Sequence, residues 1–450
     1  MLNKNLFALV TVTMSLLLYS SSSPSQQQKN IGTQGSANPA DPNAARAAQL
    51  TLNDLRTFTD VFNQIRKNYV EGVDDKTLLD LAINGMLQGL DPHSAYLPTR
   101  DYKELDNSAQ GRYSGIGVDV RVEDQKIVIK SVIVPSPADS SGLNPGDIIT
   151  SVDGNPVKGR LLQDAIDELQ GEPGTTLTIS VLDPAGQERE VELTRESIKL
   201  PTLQFELLDQ DFGYYRMTFF HRESASDLKQ SLDSVKQDGI NLRGLILDLR
   251  DNPGGVLQPA VEIADGFLNQ GLIVSTRGRN ARMRMEFTAS EGEWLPATPI
   301  IVLVDRGTAS ASEVLAGALQ DHRRALIVGE RTFGKGSVQS VLPLKNGSGI
   351  KLTTARYYTP SGRSIQAEGI LPDVVINPAE SEEVVDTRIR ESDLDRHLVK
   401  QSDTEAVAAA SKGGLEDDFP LHEALNILQE AGILLGNIEV PAAENPEQEN

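Results

Sequence analysis

Three glycine-bearing loops hold the residues of this chain best suited to chemistry. They are Asn252-Pro253-Gly254-Gly255, Arg306-Gly307-Thr308 and Phe333-Gly334-Lys335-Gly336, each placed after an apolar run that reads as a strand. Loops at strand ends are where α/β folds build sites. The first can offer backbone N–H groups to a developing oxyanion, although its glycines would also suit a plain tight turn. The second leads into DRGTASASEVLAGALQD, Asp305 to Asp321, where small hydroxyl residues precede an apolar helical pattern. Ser310 and Glu313 have capping-box spacing there, so a structural role competes with a nucleophilic one. A helix N-terminus also favours negative charge developing beside Ser310. The third loop holds Lys335 between two glycines and close to strand backbone. Burial lowers a lysine's pKa from about 10.4 by up to several units, enough to leave a neutral amine as a base. An exposed turn lysine is the competing reading.

Other chemistries find less support. Ser226-Asp227-Leu228-Lys229 has S-x-x-K spacing but lies on a helical run without companion motifs, and reads as chance. G-x-S-x-G is absent, and Gly334-Lys335-Gly336-Ser337 lacks the first glycine of a P-loop. The five histidines, His93, His221, His322, His397 and His422, are scattered without ligand spacing, and there is no cysteine, so neither a metal nor a cofactor is expected. A net charge of −22 argues against nucleic acid as a partner.

These loops need a scaffold, and hydrophobic periodicity supplies one. In 450 residues there is room for several domains. One lysine and an apolar run from Leu6 to about Tyr19 give residues 1–25 the shape of a signal peptide, so export to a periplasm is expected. Without a clean cleavage site, an uncleaved anchor is the alternative. Residues 26–48 read as a disordered tether. Residues 49–110 form a helical segment: Leu52, Leu55, Phe58, Phe62, Ile65 and Tyr69 recur at helical spacing, and a second run spans Lys76 to about Leu90. Residues 111–197 switch to period two with Asn-Pro-Gly and Asp-Gly turns. Residues 198–380 alternate helices and apolar strands, the pattern of a mainly parallel, covered sheet. Residues 381–450 carry helical pieces near Leu394–Val399 and Leu421–Leu428 and a disordered acidic tail. The fold class is multidomain α/β with a β-rich module.

The module at 111–197 resembles a PDZ domain, through Gly115-Ile116-Gly117-Val118 and the following SPADSSGLNPGDIITSVDGNPV. Successive backbone N–H groups in such a loop can cradle a terminal carboxylate while the peptide adds as a strand. LDLRDNPGG, GTASASEVLAGALQD and VGERTFGKGSVQ, with GLDPHSAYL and YYTPSGRSIQAEGILPDVVI, resemble the C-terminal processing (tail-specific) protease family across about Phe58 to Val399. That resemblance implies a crotonase-like core and a serine endopeptidase with a Ser–Lys dyad. It gives Ser310 as nucleophile, Lys335 as base and Gln339 as the residue that positions the lysine. The Gly255 and Ala311 amides would form the oxyanion hole, Gly115–Val118 would bind the substrate tail, and Asp321 would be structural. Substrates would be polypeptides with free C-termini; a homo-oligomer and an adaptor protein are compatible with the flanking helices. One departure stands out. Leu169-Gln170-Gly171 has glutamine where relatives often carry an arginine that couples peptide binding to activation. A catalytically silent PDZ scaffold and a crotonase-like acyl-CoA enzyme are the alternatives.

Overall fold

The computed structural model describes residues 50–376, 389–394, 396–398 and 418–436, with Ser15–Leu16 as a two-residue strand parallel to Gly255–Val256. The expected tether, the flanks of that short strand in the expected signal peptide, and the acidic chain terminus lie outside the described residues.

The period-two segment closes into a module of antiparallel strands. Val118–Glu123, Lys126–Val132, Ile148–Val152, Thr176–Leu182 and Glu188–Thr194 lie side by side in that order, with Asn155–Pro156 pairing off Ile148–Val152. Their inward residues Ile127, Ile129, Ile149 and Ile179 bury against Ala165 and Leu169 of the helix Leu162–Leu169. Arg112–Gly115 and Glu196–Lys199 pair antiparallel at the two ends of the module, and Leu200 N–H donates to Gly111 O.

Alternating helices and apolar strands build a second, larger body. Its sheet runs Leu203–Leu208, Phe212–Met217, Gly244–Asp248, Ile300–Val304, Leu326–Gly329 and Val374–Val375, parallel throughout except for the first pair. Helices Ser224–Gln237, Leu257–Phe267 and Ala311–Asp321 bury one face. Phe419–Gly436 covers the other through Ala424 and Leu428. Both faces are covered, which is why Gly244–Asp248 and Ile300–Val304 read as unbroken apolar runs.

A separate antiparallel sheet orders Met285–Ala289, Gly271–Gly278, Gly349–Tyr358 and Ser337–Pro343, with Ala95–Leu97 added along Gly349–Tyr358. GIKLTTARYYTPSGRSIQ falls within residues 198–380, whose pattern predicts a mainly parallel sheet, but its strand pairs antiparallel with every neighbour. Thr99–Ala109 is a further helix of the expected helical segment, and Leu257–Phe267 is a helix whose pattern is apolar nearly all round and so has no helical period to mark it. Of the helix expected near Leu394–Val399, residues 394 and 396–398 are described and are not helical; a single 3-10 turn at Glu391–Asp393 precedes them. Leu52–Asn68 and Asp75–Gln88 are helices, the first with no buried residue and an apolar stripe in the open. Among the described residues, no helix is long and apolar enough to cross a membrane.

Candidate active site

The first two glycine loops are fastened to each other. Asp305 Oδ1 accepts from Asp251 N at 2.9 Å, Gly307 N at 2.9 Å and Thr308 N at 3.1 Å. Thr308 Oγ1 donates to Leu249 O at 2.8 Å. Asn252 O receives Ala309 N at 2.9 Å and Ser312 Oγ at 3.1 Å. Ser312 is therefore committed to holding the turn together. Between them, Ser310 is fully buried at the N-cap of Ala311–Asp321, with φ 57° and ψ −114°. A normal N-cap is extended; this left-handed geometry strains a residue with a Cβ by about 1–3 kcal/mol.

Gly254 and Gly255 are glycines for want of space. A Cβ on Gly254 would lie 2.7 Å from Ala309 O and 2.9 Å from both Ala311 N and Ser310 Cβ. One on Gly255 would meet Phe220 O at 2.1 Å. Phe220 brackets this segment, donating from N to Gly254 O at 2.9 Å and accepting at O from Val256 N at 2.7 Å. The Gly255 segment and the start of the helix are thus brought against Ser310, with the helix dipole directed at the same point.

The third loop arrives through Glu313. This wholly buried carboxylate accepts Ser310 N at 2.7 Å and Lys335 N at 2.9 Å on Oε2. Its Oε1 accepts Gly334 N at 2.7 Å and Thr332 Oγ1 at 2.5 Å. One oxygen atom therefore ties the backbone of the serine to that of the lysine. Burial raises the Glu313 carboxyl to about 7, while the four donors all favour its charged form. Lys335 is 1% exposed, ruling out an exposed turn lysine. Burial, reinforced by the Lys351 cation, lowers it from 10.5 to about 7, against the pull of Glu391, Glu313 and Asp91. An amine in this state can accept a proton near neutral pH.

Gln339 is buried on Ser337–Pro343, but its Nε2 donates to Ser337 Oγ at 2.9 Å and Thr353 Oγ1 at 3.2 Å. Its Oε1 is buried without a partner. Thr353 Oγ1 in turn donates to Asp91 Oδ1 at 3.0 Å. From the other side, Gly336 N donates to Gln366 Oε1 at 3.1 Å, Gln366 Nε2 to Glu391 Oε1 at 2.8 Å, and Glu391 Oε2 lies 2.7 Å from His93 Nε2. Asp91, Lys351, Gln366 and Glu391 escaped the sequence reading as site residues. Asp91 and Gln366 do lie within segments that carry the family resemblance, GLDPHSAYL and YYTPSGRSIQAEGILPDVVI, the one signal that could raise them. Asp321 accepts Ser361 N and Arg363 Nη2 at the far end of its helix, a structural post.

In the smaller module, Gly115–Val118 forms the expected loop. Ile116 is buried, its O accepts Ala138 N at 2.9 Å, and Gly117 O accepts Ile133 N at 2.9 Å. Gly117 has φ 89°, and a Cβ there would lie 2.3 Å from Ser136 Cβ. Gln170 bridges Gly115 through its backbone, which joins the end of the helix to the loop. Among the described residues, no cluster of three His, Cys, Asp or Glu is arranged to hold a metal.

Comparison with known proteins agrees with this architecture. The profile of Peptidase family S41 matches residues 211–376, that of the PDZ domain residues 114–194, and that of the activating protease CtpB N-terminal domain residues 11–100. A carboxy-terminal-processing protease of Bartonella bacilliformis is 40% identical over 390 residues, covering 85% of this chain and 89% of that protein. The carboxy-terminal processing protease CtpA of Bacillus subtilis is 35% identical, covering 70% and 67%. Among solved structures, the photosystem II D1 C-terminal processing protease has 31% identity and a TM-score of 0.44, covering 71% of this chain and 92% of that one. With the Bartonella protein 40% identical along most of both chains, the chain belongs to the carboxy-terminal-processing serine proteases of peptidase family S41, and carries their PDZ domain.

Proposed function

We propose that Ser310 and Lys335 form a Ser–Lys dyad that cleaves polypeptides near their C-termini. Ser310 Oγ attacks the peptide carbonyl as neutral Lys335 Nζ takes its proton and passes it to the leaving amine. The Gly255 and Ala311 amides hold the oxyanion, and water then releases the acyl group by the same proton path. Gln339 positions the lysine: its buried, unpartnered Oε1 is an acceptor that the transient ammonium would satisfy. The observation that carries this reading is the anchoring of Ser310 N and Lys335 N on one oxygen of Glu313, with the lysine stripped of solvent.

The Gly115–Val118 loop receives the free carboxylate of the substrate tail, and the protein is exported to a periplasm by residues 1–25. The mainly parallel sheet with helices on both faces supports a crotonase-like core. Exposed Leu52, Leu55, Phe58, Ile65 and Tyr69 form an apolar stripe suited to a second copy of the chain. The decisive experiment follows digestion of an unfolded polypeptide by full-length Ser310→Ala and Lys335→Arg proteins. Both should be inactive with unchanged circular dichroism, since arginine keeps the charge but cannot deprotonate. Turnover near the wild-type rate in Lys335→Arg would sink the dyad.

A further inference from the structure

Three arginines that make no ion pair among the described residues gather on the sheet that carries the strand following Lys335. Arg277 and Arg356 sit directly opposite each other where Gly271–Gly278 pairs with Gly349–Tyr358. Like charges in that position repel and destabilise a sheet. In a chain with 64 acidic residues against 42 basic ones, a carboxylate would be easy to supply. Yet among the described residues none forms an ion pair with Arg277, Arg356 or Arg279, which follows Arg277 on the same side of the chain. Arg277 rests its guanidinium 4.2 Å above the ring of Tyr358, which steers it without neutralising it.

These three arginines line one cavity of about 950 Å³. Its floor is a gap in a strand edge. Ala95–Leu97 covers the edge of Gly349–Tyr358 opposite Gly349–Lys351, and Gly271–Gly278 covers it from Ala355 onward. Leu352, Thr353 and Thr354 lie between and line the cavity, with Thr353 N held by Ser94 Oγ at 3.1 Å. Asp91 is the carboxylate on the wall, but its two oxygens already accept His93 N, Ser94 N, Ser94 Oγ and Thr353 Oγ1. It offers little to the arginines.

The cavity also adjoins the machinery described above. Thr353, on its floor, receives Gln339 Nε2, and Arg356 stands in register opposite Ser337, two residues beyond Lys335. A polypeptide lying in the gap would be one strand spacing, about 4.8 Å, from Gly349–Tyr358, and so about two spacings from the strand that follows Lys335 on its other side.

We propose that this arginine-lined cavity is a substrate exosite that takes an acidic, extended segment of the polypeptide being cut. Carboxylates of that segment would pair with guanidinium forks, which bind them in a bidentate manner, and would relieve the Arg277–Arg356 repulsion. The proposal rests on the peptidase reading of Ser310 and Lys335 and names a substrate class for it: tails bearing an internal acidic stretch.

The test uses two fluorogenic peptides with the same free apolar C-terminus, differing in an Asp/Glu triplet replaced by Asn/Gln. Full-length enzyme should favour the acidic peptide at least tenfold in kcat/KM, through KM, and raising salt from about 0.05 to about 0.5 M should narrow the ratio. In the Arg277→Gln/Arg279→Gln protein the ratio should fall close to one, while Arg277→Lys/Arg279→Lys retains most of it. Binding to full-length Ser310→Ala, followed by fluorescence anisotropy, should show the same preference. Equal kcat/KM for the two peptides in the wild-type enzyme overturns the exosite, as does a preference that survives in the glutamine variant. Cleavage of neither peptide overturns the dyad reading; anisotropy then still judges the exosite by itself. An acidic peptide that fails to bind better than its neutral twin refutes it, whether the cavity is open or filled by this chain's own carboxylates.

Discussion

Gly255 and Gly117 both sit at positive φ, 139° and 89°, in loops that can turn backbone N–H groups toward negative charge. Their surroundings differ. At Gly255 the space for a side chain is taken by the carbonyl oxygen of Phe220, part of a packed sheet. At Gly117 it is taken by the side chain of Ser136, which caps a four-residue helix, and the strand that follows is largely exposed beyond Val118. Backbone in a close-packed core cannot yield, whereas a serine on a short helix can move. The difference suits the two tasks proposed for these loops. An oxyanion exists only in the transition state, so its donors act only if they are fixed beforehand. A terminal carboxylate is present throughout, and holding it lowers KM without speeding the chemical step.

The largest effect that would break this contrast is a kcat–KM split. Gly255→Ala should lower kcat by at least about 100-fold, the loss expected for one oxyanion donor. Gly117→Ala should act mainly on KM for tailed peptides; because Ser136 must shift, its thermal unfolding should be measured alongside. A Gly117→Ala enzyme losing kcat like the other would show that the loops are not separate devices.

Acidity sharpens the catalytic side. Below about pH 7 the buried Lys335 gains a proton, so kcat/KM should drop about tenfold per further pH unit. Stability should respond as well. Between about 7 and 10.5 the unfolded chain holds the proton that the folded chain has released, so Lys335 makes stability rise with pH. Lys335→Met should lose that slope in denaturant titrations. Glu313, raised from 4.5 to about 7, works oppositely in the lower window, where stability falls as pH rises. An activity profile flat from pH 5 to 8 would contradict the buried-amine base.

On the binding side, amidating the C-terminus of a tail peptide removes a charge-assisted hydrogen bond of about 1.5–3 kcal/mol, so Kd should rise at least tenfold. Calorimetry on the full-length Ser310→Ala protein reads this directly. Equal affinities would leave the Gly115–Val118 loop without its carboxylate.

The smallest effect isolates strain. Ser310→Gly should be more stable than Ser310→Ala by about 1 kcal/mol, because glycine tolerates φ 57° and alanine does not. Chemical denaturation of the two inactive proteins measures the difference. Ala more stable than Gly would mean that the turn is relaxed.

Much of this was legible along the chain. Val118–Glu123, Lys126–Val132 and Thr176–Leu182 announce themselves by alternation, and Gly244–Asp248 and Ile300–Val304 by unbroken apolar runs. Ser310, Lys335 and the glycines lie in loops whose punctuation is local. What escaped depends on long-range pairing. Gly271–Gly278 meets Gly349–Tyr358 across more than seventy residues of chain, and no local pattern fixes that choice. Glu313 looked like half of a capping box. Nothing near it in sequence says that its other partners come from Thr332, Gly334 and Lys335. Asp91 and Glu391 come from distant parts of the chain, and folding alone turns them into neighbours of Lys335.

That last arrangement bears on how the protein is made. A chain emerging N-terminus first presents Ser310 well before Lys335, and Lys335 well before Glu391. Until the later segment docks, Gln366 lacks the carboxylate that receives its amide, and Phe333 O in the Lys335 loop lacks the N–H of Glu391. A lysine left in water stays an ammonium ion and removes no protons. The nascent polypeptide would thus carry a blade without an edge, and self-digestion would be held off by the order of synthesis itself.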